Sequence, residues 1–336
     1  MLQRLRRSVR SWFKPPEAPL PYYVDRYSFF QGSLHFKGWL GVPADAVAGL
    51  ALRLPDGSVH PIIGWPLPIS DETEIEQDAA PPGFCFEERL HVSEFLADIV
   101  GAQLLVTFID GEQSTLANLG RPLDDPAHHV FTRFQEMLRE RKPGRILEVG
   151  SRARSGIVRR GIVPWGWKYS GLDVLRGPNV DVVGDAHRVS QLYPAGHFDA
   201  VMAHAVLEHM MMPWKFVIEL NRVLKPDAVG IFVTTQCWPL HDQPWDFWRF
   251  SDSAWPALLN RGTGFEILEA GMGEPAYIVA AKCHAVTAFA ETPAGALGSS
   301  VLFRKIGETR LQWPVELEDL TATTYPTATI TDPTRG

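Results

Sequence analysis

Residues 145–156 read Arg-Ile-Leu-Glu-Val-Gly-Ser-Arg-Ala-Arg-Ser-Gly. The first part is a short apolar run typical of a buried parallel strand, and the second is a small-residue turn that leads from a strand into a helix. In open α/β sheets, ligands bind beyond the carboxyl ends of the strands. Glu148 lies at that end, where its carboxylate can accept hydrogen bonds from a ligand. Many α/β proteins contain such a turn, so by itself it leaves the presence of a cofactor open.

Strand and helix patterns alternate after this turn, as a parallel sheet with crossover helices requires. The predicted strands are Tyr169–Asp173, Val180–Val183, Phe198–Ala203 and Ile231–Thr235. Asp173 ends the first of these, 23 positions after Gly150, and Asp185 follows the second. An acid at that spacing suits the two ribose hydroxyls of a nucleotide cofactor. Three successive strands that end in an acid therefore predict a cofactor site rather than three solvated surface acids.

The order of these motifs resembles the class I S-adenosylmethionine-dependent methyltransferases of the "methyltransferase type 11" group. The resemblance covers roughly residues 127–270, with a looser continuation to about 320. Its motifs are Leu147–Gly150, Gly171–Asp173, Gly184–Ala186, Phe198–Val201 and Glu219–Pro226. The resemblance implies an α/β fold with a Rossmann-like seven-stranded methyltransferase sheet, in which the last strand is antiparallel.

The same resemblance implies S-adenosylmethionine as cofactor and distributes its parts along the sheet. The first loop, with Glu148, Gly150 and Ser151, would face the methionine part. Asp173 would bind the ribose, and Asp185 would face the adenine, with Ala186 or His187 as its neighbour. His204, which ends the fourth strand, would lie close to the cofactor.

The first loop departs from the family pattern. Where the family usually has glycines, this chain has Arg152 and Arg154, and the next glycine is Gly156. One arginine can point inward and pair with the methionine carboxylate, a bond that guanidinium geometry favours. Alternatively, the loop no longer binds cofactor and the domain is a non-catalytic scaffold. We expect the first arrangement, with Arg152 and Gly156 in the cofactor site.

Three residues are candidates for catalysis. Methyl transfer requires a base only when the acceptor has to lose a proton. His241 and Asp242 follow the fifth strand, where a histidine beside an aspartate can act as a base with its orienting partner. The alternative is a turn satisfied by its own backbone. His209 is a further candidate, for which a packing role is the alternative.

The loop that contains His241 is rich in aromatic residues. We expect Trp238 and Trp245, with Arg249, to bind substrate, and Trp248 and Phe250 to be core residues. Indole faces stack on the C–H faces of sugars, and chains with this loop resemble methyltransferases associated with bacterial surface-glycan assembly. The predicted function is methyl transfer to a hydroxyl of a carbohydrate or surface-glycan intermediate. The alternatives are the scaffold and a nicotinamide-dependent oxidoreductase, which the two loop arginines disfavour.

The chain is predicted to divide into four regions. Residues 1–21 are a basic segment with a Pro-rich linker, 22–125 a β-rich sandwich-like domain, 126–320 the methyltransferase domain and 321–336 a disordered tail. The β-rich domain is predicted to contain strands Tyr27–Phe30, Leu34–Leu40, Leu50–Leu54, Phe84–Leu90 and Gln103–Ile109. It serves either packing or the binding of a glycan or partner. In the methyltransferase domain, a helix is predicted around His129–Leu138, and Phe265–Leu268 and Ser300–Lys305 are the last strands, with Gly271–Leu297 an insertion.

Composition limits the possible partners. The net charge of −7 argues against a general nucleic-acid binder. The three cysteines are far apart and lack metal-binding spacing, so we expect neither disulfides nor a metal. No apolar run reaches the length of a membrane span, which predicts a cytoplasmic protein. Residues 1–14 carry five basic residues and no acid, so they form either a disordered tail or a helix that contacts the inner membrane face. The oligomeric state stays open.

Overall fold

The computed structural model describes residues 20–30, 32–68, 83–91, 99–117, 119, 125–154, 156–278 and 295–321. The chain divides into two compact units, Met1–Leu123 and Asp124–Gly336. The predicted membrane-contacting segment 1–14, residues 279–294 of the predicted insertion and the tail 322–336 lie outside the described residues. In the part that is described, no helix combines the length and apolar character needed to cross a membrane.

The first unit is an antiparallel β-structure of two sheets. Its strands are β1 (Tyr22–Phe30), β2 (Ser33–Leu40), β3 (Val47–Arg53), β4 (Val59–Ile62), β5 (Phe84–His91), β6 (Gln103–Phe108) and β7 (Gln113–Leu116). They form the sheets β1-β2-β5 and β4-β3-β6-β7. Alternate residues of β2, such as Leu34 and Phe36, share one buried core with Leu52 of β3 and Leu104 of β6, which gives a sandwich. The sequence did not predict β4 and β7, because four-residue edge strands show little alternation.

The second unit is an α/β structure built on seven strands. These are β8 (Arg145–Val149), β9 (Lys168–Asp173), β10 (Val182–Val183), β11 (Phe198–His204), β12 (Leu224–Thr235), β13 (Phe265–Ala276) and β14 (Gly295–Lys305). Their order is β10-β9-β8-β11-β12-β14-β13, with β8 to β12 parallel and β14 antiparallel to both of its neighbours. The helices are α1 (Pro126–Glu140), α2 (Val189–Leu192), α3 (Pro213–Val223), α4 (Trp255–Leu258) and α5 (Leu317–Leu320). The predicted α/β fold with a seven-stranded sheet is confirmed.

Both faces of this sheet are covered. On one face, Phe134 of α1 packs in a cluster with Ile146 of β8 and Met202 of β11. On the other, Phe216 of α3 lies in a cluster with Leu147 of β8. Strands buried on both sides explain why β8 and β11 are continuous apolar runs rather than alternating ones.

The parallel strands end in register, which brings their carboxyl ends together. Val149 is paired with Leu172 of β9 and with Ala203 of β11, and His204 is paired with Val233 of β12. The residues that follow these strands therefore meet at one end of the sheet, where α/β proteins bind ligands.

Several predicted boundaries were wrong. The two last strands are longer than expected, so Gly271–Ala276 belongs to β13 and Gly295–Leu297 to β14, and neither is part of an insertion. Glycine and alanine give them no apolar alternation that would show in the sequence. The third parallel strand is reduced to two residues, whereas the fifth begins directly after α3, at Leu224.

Candidate functional site

The loop after β8 begins with a turn that only glycine can make. Gly150 has a φ of +73°, and a Cβ built on it would lie 2.8 Å from Val206, which follows β11. The backbone N–H groups of Gly150 and Ser151 both donate to the carbonyl of Leu172, at 2.9 and 3.1 Å. This glycine therefore lets the loop after β8 approach the loop after β11.

Glu148 belongs to a buried hydrogen-bond network. It is 2% exposed and accepts from the hydroxyl of Tyr169 and, at 3.3 Å, from the side-chain amide of Asn179. Burial raises the pKa of Glu148, against the lowering effects of the Tyr169 hydrogen bond and the positive charge of Arg159. Asn179 also donates to the carbonyl of Ser151. The Glu148 carboxylate, which was predicted to face a ligand, therefore also supports the loop after β8 through Asn179.

Asp173, at the end of β9, retains capacity for two hydroxyl groups. Its two oxygens accept from the backbone N–H groups of Arg152 (3.1 Å) and Leu175 (2.9 Å). A carboxylate offers about four acceptor positions. The two that remain fit the predicted ribose, although the side chain is only about one-tenth exposed.

Asp185 follows β10 and is bound to the histidine two residues on. The backbone N–H and Nδ1 of His187 lie 2.9 and 2.7 Å from Asp185 Oδ1. Burial acts to raise the pKa of Asp185, but the His187 hydrogen bonds outweigh it and the pKa is lowered. His187 is buried, and its Nε2 accepts from the backbone N–H of Met212, so Nδ1 is the ring nitrogen that donates to Asp185. Ala186, between the two, is half-buried.

His204, at the end of β11, is half-buried and lies 6.5 Å from the ring of Phe131, edge to face. Its Nδ1 is buried and has no hydrogen-bond partner in the described part of the chain. Burial, with the positive charge of Arg159, lowers the pKa of His204 to about 4. The ring is therefore neutral at pH 7.

The two loop arginines each lie beside an aspartate. Arg152 Nε lies 3.7 Å from Asp173 Oδ1. Arg154 forms a bidentate ion pair with Asp242, which lies in the loop after β12. Each arginine is thus held by an aspartate. Gly156 has a φ of +79° and open space around it.

Beside His241, which was predicted to pair with Asp242, the structure places a second carboxylate, that of Asp246. Asp242 itself has a φ of +50° and forms an ion pair with Arg154. The carboxylate beside His241 is Asp246, whose Oδ2 accepts from the His241 backbone N–H at 2.9 Å and lies 3.4 Å from the ring Nδ1. Asp246 is buried, and the guanidinium of Arg249 lowers its pKa to about 2.

His209 and His241 lie side by side, although 32 positions separate them. Their ring centroids are 4.7 Å apart, with the rings edge to face. His209 Nδ1 lies 2.6 Å from the carbonyl of Trp245, which fixes the ring on the loop after β12. The structure therefore brings together the two histidines that the sequence proposed separately.

The aromatic loop was predicted only in part. Of the two tryptophans predicted to bind substrate, Trp238 is 47% exposed, whereas Trp245 is 4% exposed and so offers little surface to a substrate. Phe250 is core as predicted, whereas Trp248 is 37% exposed. The guanidinium of Arg249, a predicted substrate contact, is bound to Asp246 and to the carbonyls of Trp238 and Pro239, so it also holds the loop together.

Sequence reasoning missed three residues of this region. Arg159 is half-buried beside Glu148 and His204, Glu208 is fully buried under His209, and Asp246 orients His241. Arg159 stands among several arginines in the sequence, and nothing distinguishes it from its neighbour Arg160. Glu208 had a usable signal, since it is an acid directly before a candidate histidine at the carboxyl end of a strand.

A family model described as a methyltransferase domain matches residues 125–268. No curated protein matches the sequence. Among solved structures, the chain is similar to a SAM dependent methyltransferase from Archaeoglobus fulgidus, with 15% identity and a TM-score of 0.37 over 52% of this chain and 94% of that one. It is similar to a SAM dependent methyltransferase from Aquifex aeolicus, with 17% identity, a TM-score of 0.36 and coverages of 55% and 95%. It is also similar to a Burkholderia thailandensis 1,6-didemethyltoxoflavin-N1-methyltransferase with bound S-adenosylhomocysteine, with 12% identity, a TM-score of 0.38 and coverages of 61% and 96%.

Proposed function

We propose that this protein, whose residues 125–268 match a methyltransferase-domain model, transfers a methyl group from S-adenosylmethionine to a hydroxyl of a carbohydrate or surface-glycan intermediate. The cofactor supplies an electrophilic methyl group on a positively charged sulfur. The protein binds and orients both molecules, excludes water and accepts the proton that the hydroxyl loses.

One observation carries the cofactor part of the proposal. Glu148, Asp173 and Asp185 stand at or just beyond the carboxyl ends of three neighbouring strands of the sheet, β8, β9 and β10. Asp173 would bind the ribose hydroxyls through its two remaining acceptor positions, and Asp185 with Ala186 would face the adenine. Glu148, Gly150 and Ser151 would shape the loop around the methionine part, and His204 would lie beside it.

We assign the methionine carboxylate to Arg159, since Arg152 and Arg154 are each held by an aspartate. Arg159 interacts electrostatically with Glu148, but no hydrogen bond or ion pair joins its guanidinium to another described residue. Burial lowers its pKa, so a carboxylate bound there would relieve the cost of burying the cation. Arg160, the next residue, is instead paired with Asp181 at 2.7 Å.

Support for a carbohydrate acceptor comes from the loop after β12. The exposed indole of Trp238 offers a flat apolar face of the kind that stacks on sugars. The loop also carries His241, whose ring contacts His209. Both imidazoles have Nδ1 near a backbone carbonyl, which leaves Nε2 as the nitrogen suited to accept a hydroxyl proton.

The cofactor assignment is tested by calorimetric titration of the full chain with S-adenosylmethionine and S-adenosylhomocysteine. We expect micromolar affinity that falls at least about 100-fold in Asp173→Asn and about 30-fold in Arg159→Gln, since each loses a charge-assisted contact. Asp181→Asn and Arg160→Gln are the matched controls and should bind within about twofold of wild type. Absence of binding by folded wild-type protein would overturn the proposal and favour the non-catalytic scaffold.

The acceptor class is tested by methyl transfer from labelled cofactor to a panel of saccharides, with amine and carboxylate acceptors as alternatives. We expect Trp238→Ala to raise KM for a saccharide about tenfold without changing cofactor affinity. Trp165→Ala, which removes another exposed indole, should leave KM unchanged. Transfer to the amines or carboxylates alone would refute the hydroxyl acceptor while leaving the cofactor assignment intact.

A further inference from the structure

We propose that Glu208, His209 and His241 form a binding site for one divalent transition-metal ion. One donor atom of each residue lies within 4.8 Å of the donor atoms of the other two. Two imidazoles with one carboxylate are a known ligand set of catalytic zinc sites, which keep a further position open, and the same set binds iron(II). The site lies beyond the carboxyl ends of β11 and β12.

Glu208 supplies the first argument for a cation. Its side chain is 0% exposed. Its Oε2 accepts from the hydroxyl of Thr234 at 2.6 Å, whereas its Oε1 is buried and finds no hydrogen-bond partner among the residues that the structure describes. A buried carboxyl oxygen is unfavourable unless a donor or a cation compensates it.

The positive charge of Arg249 acts on Glu208 but does not provide that compensation. Arg249 interacts electrostatically with Glu208, but its guanidinium is bound to Asp246 at 2.6 and 2.8 Å. Its positive charge is therefore largely balanced by the Asp246 carboxylate. A metal ion beside Glu208 supplies the charge that is otherwise absent there.

The two imidazoles are oriented as metal ligands are. Nδ1 of His209 lies 2.6 Å from the carbonyl of Trp245, and Nδ1 of His241 lies 3.1 Å from the carbonyl of Pro239. A carbonyl only accepts, so both rings carry their proton on Nδ1 and present the lone pair of Nε2. A backbone carbonyl on the outer nitrogen is the usual support of a metal-binding histidine.

The surrounding backbone holds these residues in place. The N–H groups of Phe247 and Trp248 donate to the carbonyl of Glu208 at 2.8 and 3.2 Å, which fixes the loop after β12 on the turn after β11. Two ligands at about 2.0–2.2 Å from one ion are at most about 4.4 Å apart. The three donor atoms lie within 4.8 Å of one another, so a shift of about 0.4 Å brings them to that separation.

Metal binding also has a consequence for catalysis, and this part alone rests on the proposed function. A hydroxyl bound at the open metal position would lose its proton far more readily than in water. Because the two imidazoles would then be ligands and not bases, that proton would pass to solvent water, and the resulting alkoxide would attack the methyl group.

The test is calorimetric titration of the chelator-treated full chain with Zn²⁺. We expect one ion per chain with a dissociation constant of micromolar or below. His241→Ala and Glu208→Gln should each weaken binding about 100-fold, since each removes one of three ligands. Binding of S-adenosylhomocysteine by the same samples reports the folded state of each variant, and circular dichroism reports it if wild type does not bind that ligand.

Two matched variants distinguish this site from adventitious binding. Cys237→Ser removes the thiol of the same loop, and His128→Ala removes an exposed histidine of α1. Both should bind Zn²⁺ within about twofold of wild type. The proposal is overturned if folded wild type binds no Zn²⁺, if folded His241→Ala binds it equally well, or if either control loses it.

Discussion

The two ends of the seven-stranded sheet differ in whether their buried polar groups have hydrogen-bond partners. At the amino ends of the parallel strands, the polar groups have partners. Asp199 of β11 accepts from Lys225 Nζ and from the Arg145 backbone N–H, each at 2.8 Å. Lys305, which is buried, donates to the carbonyls of Asn221 and Leu224 at 2.7 and 2.9 Å.

At the carboxyl ends, by contrast, several buried polar atoms have no hydrogen-bond partner within the described residues. They are Ser151 Oγ, Arg152 Nε, His204 Nδ1, Glu208 Oε1 and Thr235 Oγ1. Buried polar groups in proteins are nearly always paired, so a cluster of exceptions calls for a ligand. The polar groups named at the amino ends are thus paired within the chain, whereas the unpaired atoms at the carboxyl ends cluster where we propose that ligands bind.

The largest expected effect is at the amino ends. Asn221 is fully buried and bonds to the carbonyls of Thr263 and Gly307 and to the N–H of Thr309 at 2.9–3.0 Å. Asn221→Ala leaves three backbone groups unpaired, so we expect the free energy of unfolding in urea to fall by about 4 kcal/mol. Gln191→Ala, at an exposed amide, should change it by less than about 0.5 kcal/mol. A loss below about 1 kcal/mol for Asn221→Ala would contradict the comparison.

The next effect is a pH dependence at the carboxyl ends. The pKa of His204 is lowered to about 4 in the folded chain, from 6.5, so the unfolded chain binds a proton first as the pH falls. Stability from this residue is complete above pH 6.5 and is lost as the pH falls towards 4, by up to about 3 kcal/mol. His204→Asn should reduce the loss between pH 7 and 4.5, measured by urea unfolding, whereas His128→Asn should not. An unchanged pH profile in His204→Asn would refute the assignment.

Two adjacent threonines give a smaller and direct test. The Thr234 hydroxyl donates to Glu208, so Thr234→Val should cost about 2 kcal/mol of unfolding free energy. The Thr235 hydroxyl is buried without a partner in the described chain, so Thr235→Val should be neutral or gain up to about 1 kcal/mol. Equal losses for the two variants would show that Thr235 has a partner after all.

The smallest effect concerns the ion pair between Arg154 and Asp242. Both side chains are partly exposed, so a double-mutant cycle with alanine should give a coupling of about 0.5–1 kcal/mol in unfolding free energy. Because salt screens exposed charges, 1 M NaCl should remove most of it. A coupling above about 2 kcal/mol would indicate that the pair organises the site far more strongly than exposed ion pairs do.

The sequence alone determined the sheet and the acids at its strand ends. A strand that is buried on both faces is a continuous apolar run in the sequence. The residues at the end of that run lie at the carboxyl end of the sheet, whichever strands are its neighbours. Glu148, Asp173 and Asp185 were therefore placed correctly along the fold before any contact was known. These signals are local in the chain.

Only the tertiary structure decided how the loops pair. Arg154 forms an ion pair with Asp242, and the backbone N–H of His241 donates to Asp246. His209 and His241 lie close to each other and to Glu208. Such contacts depend on which strands are neighbours and on the backbone course of each loop, including the positive φ of Asp242. Residue type and spacing carry neither quantity, because charged loop residues have several partners of nearly equal energy until the sheet selects one.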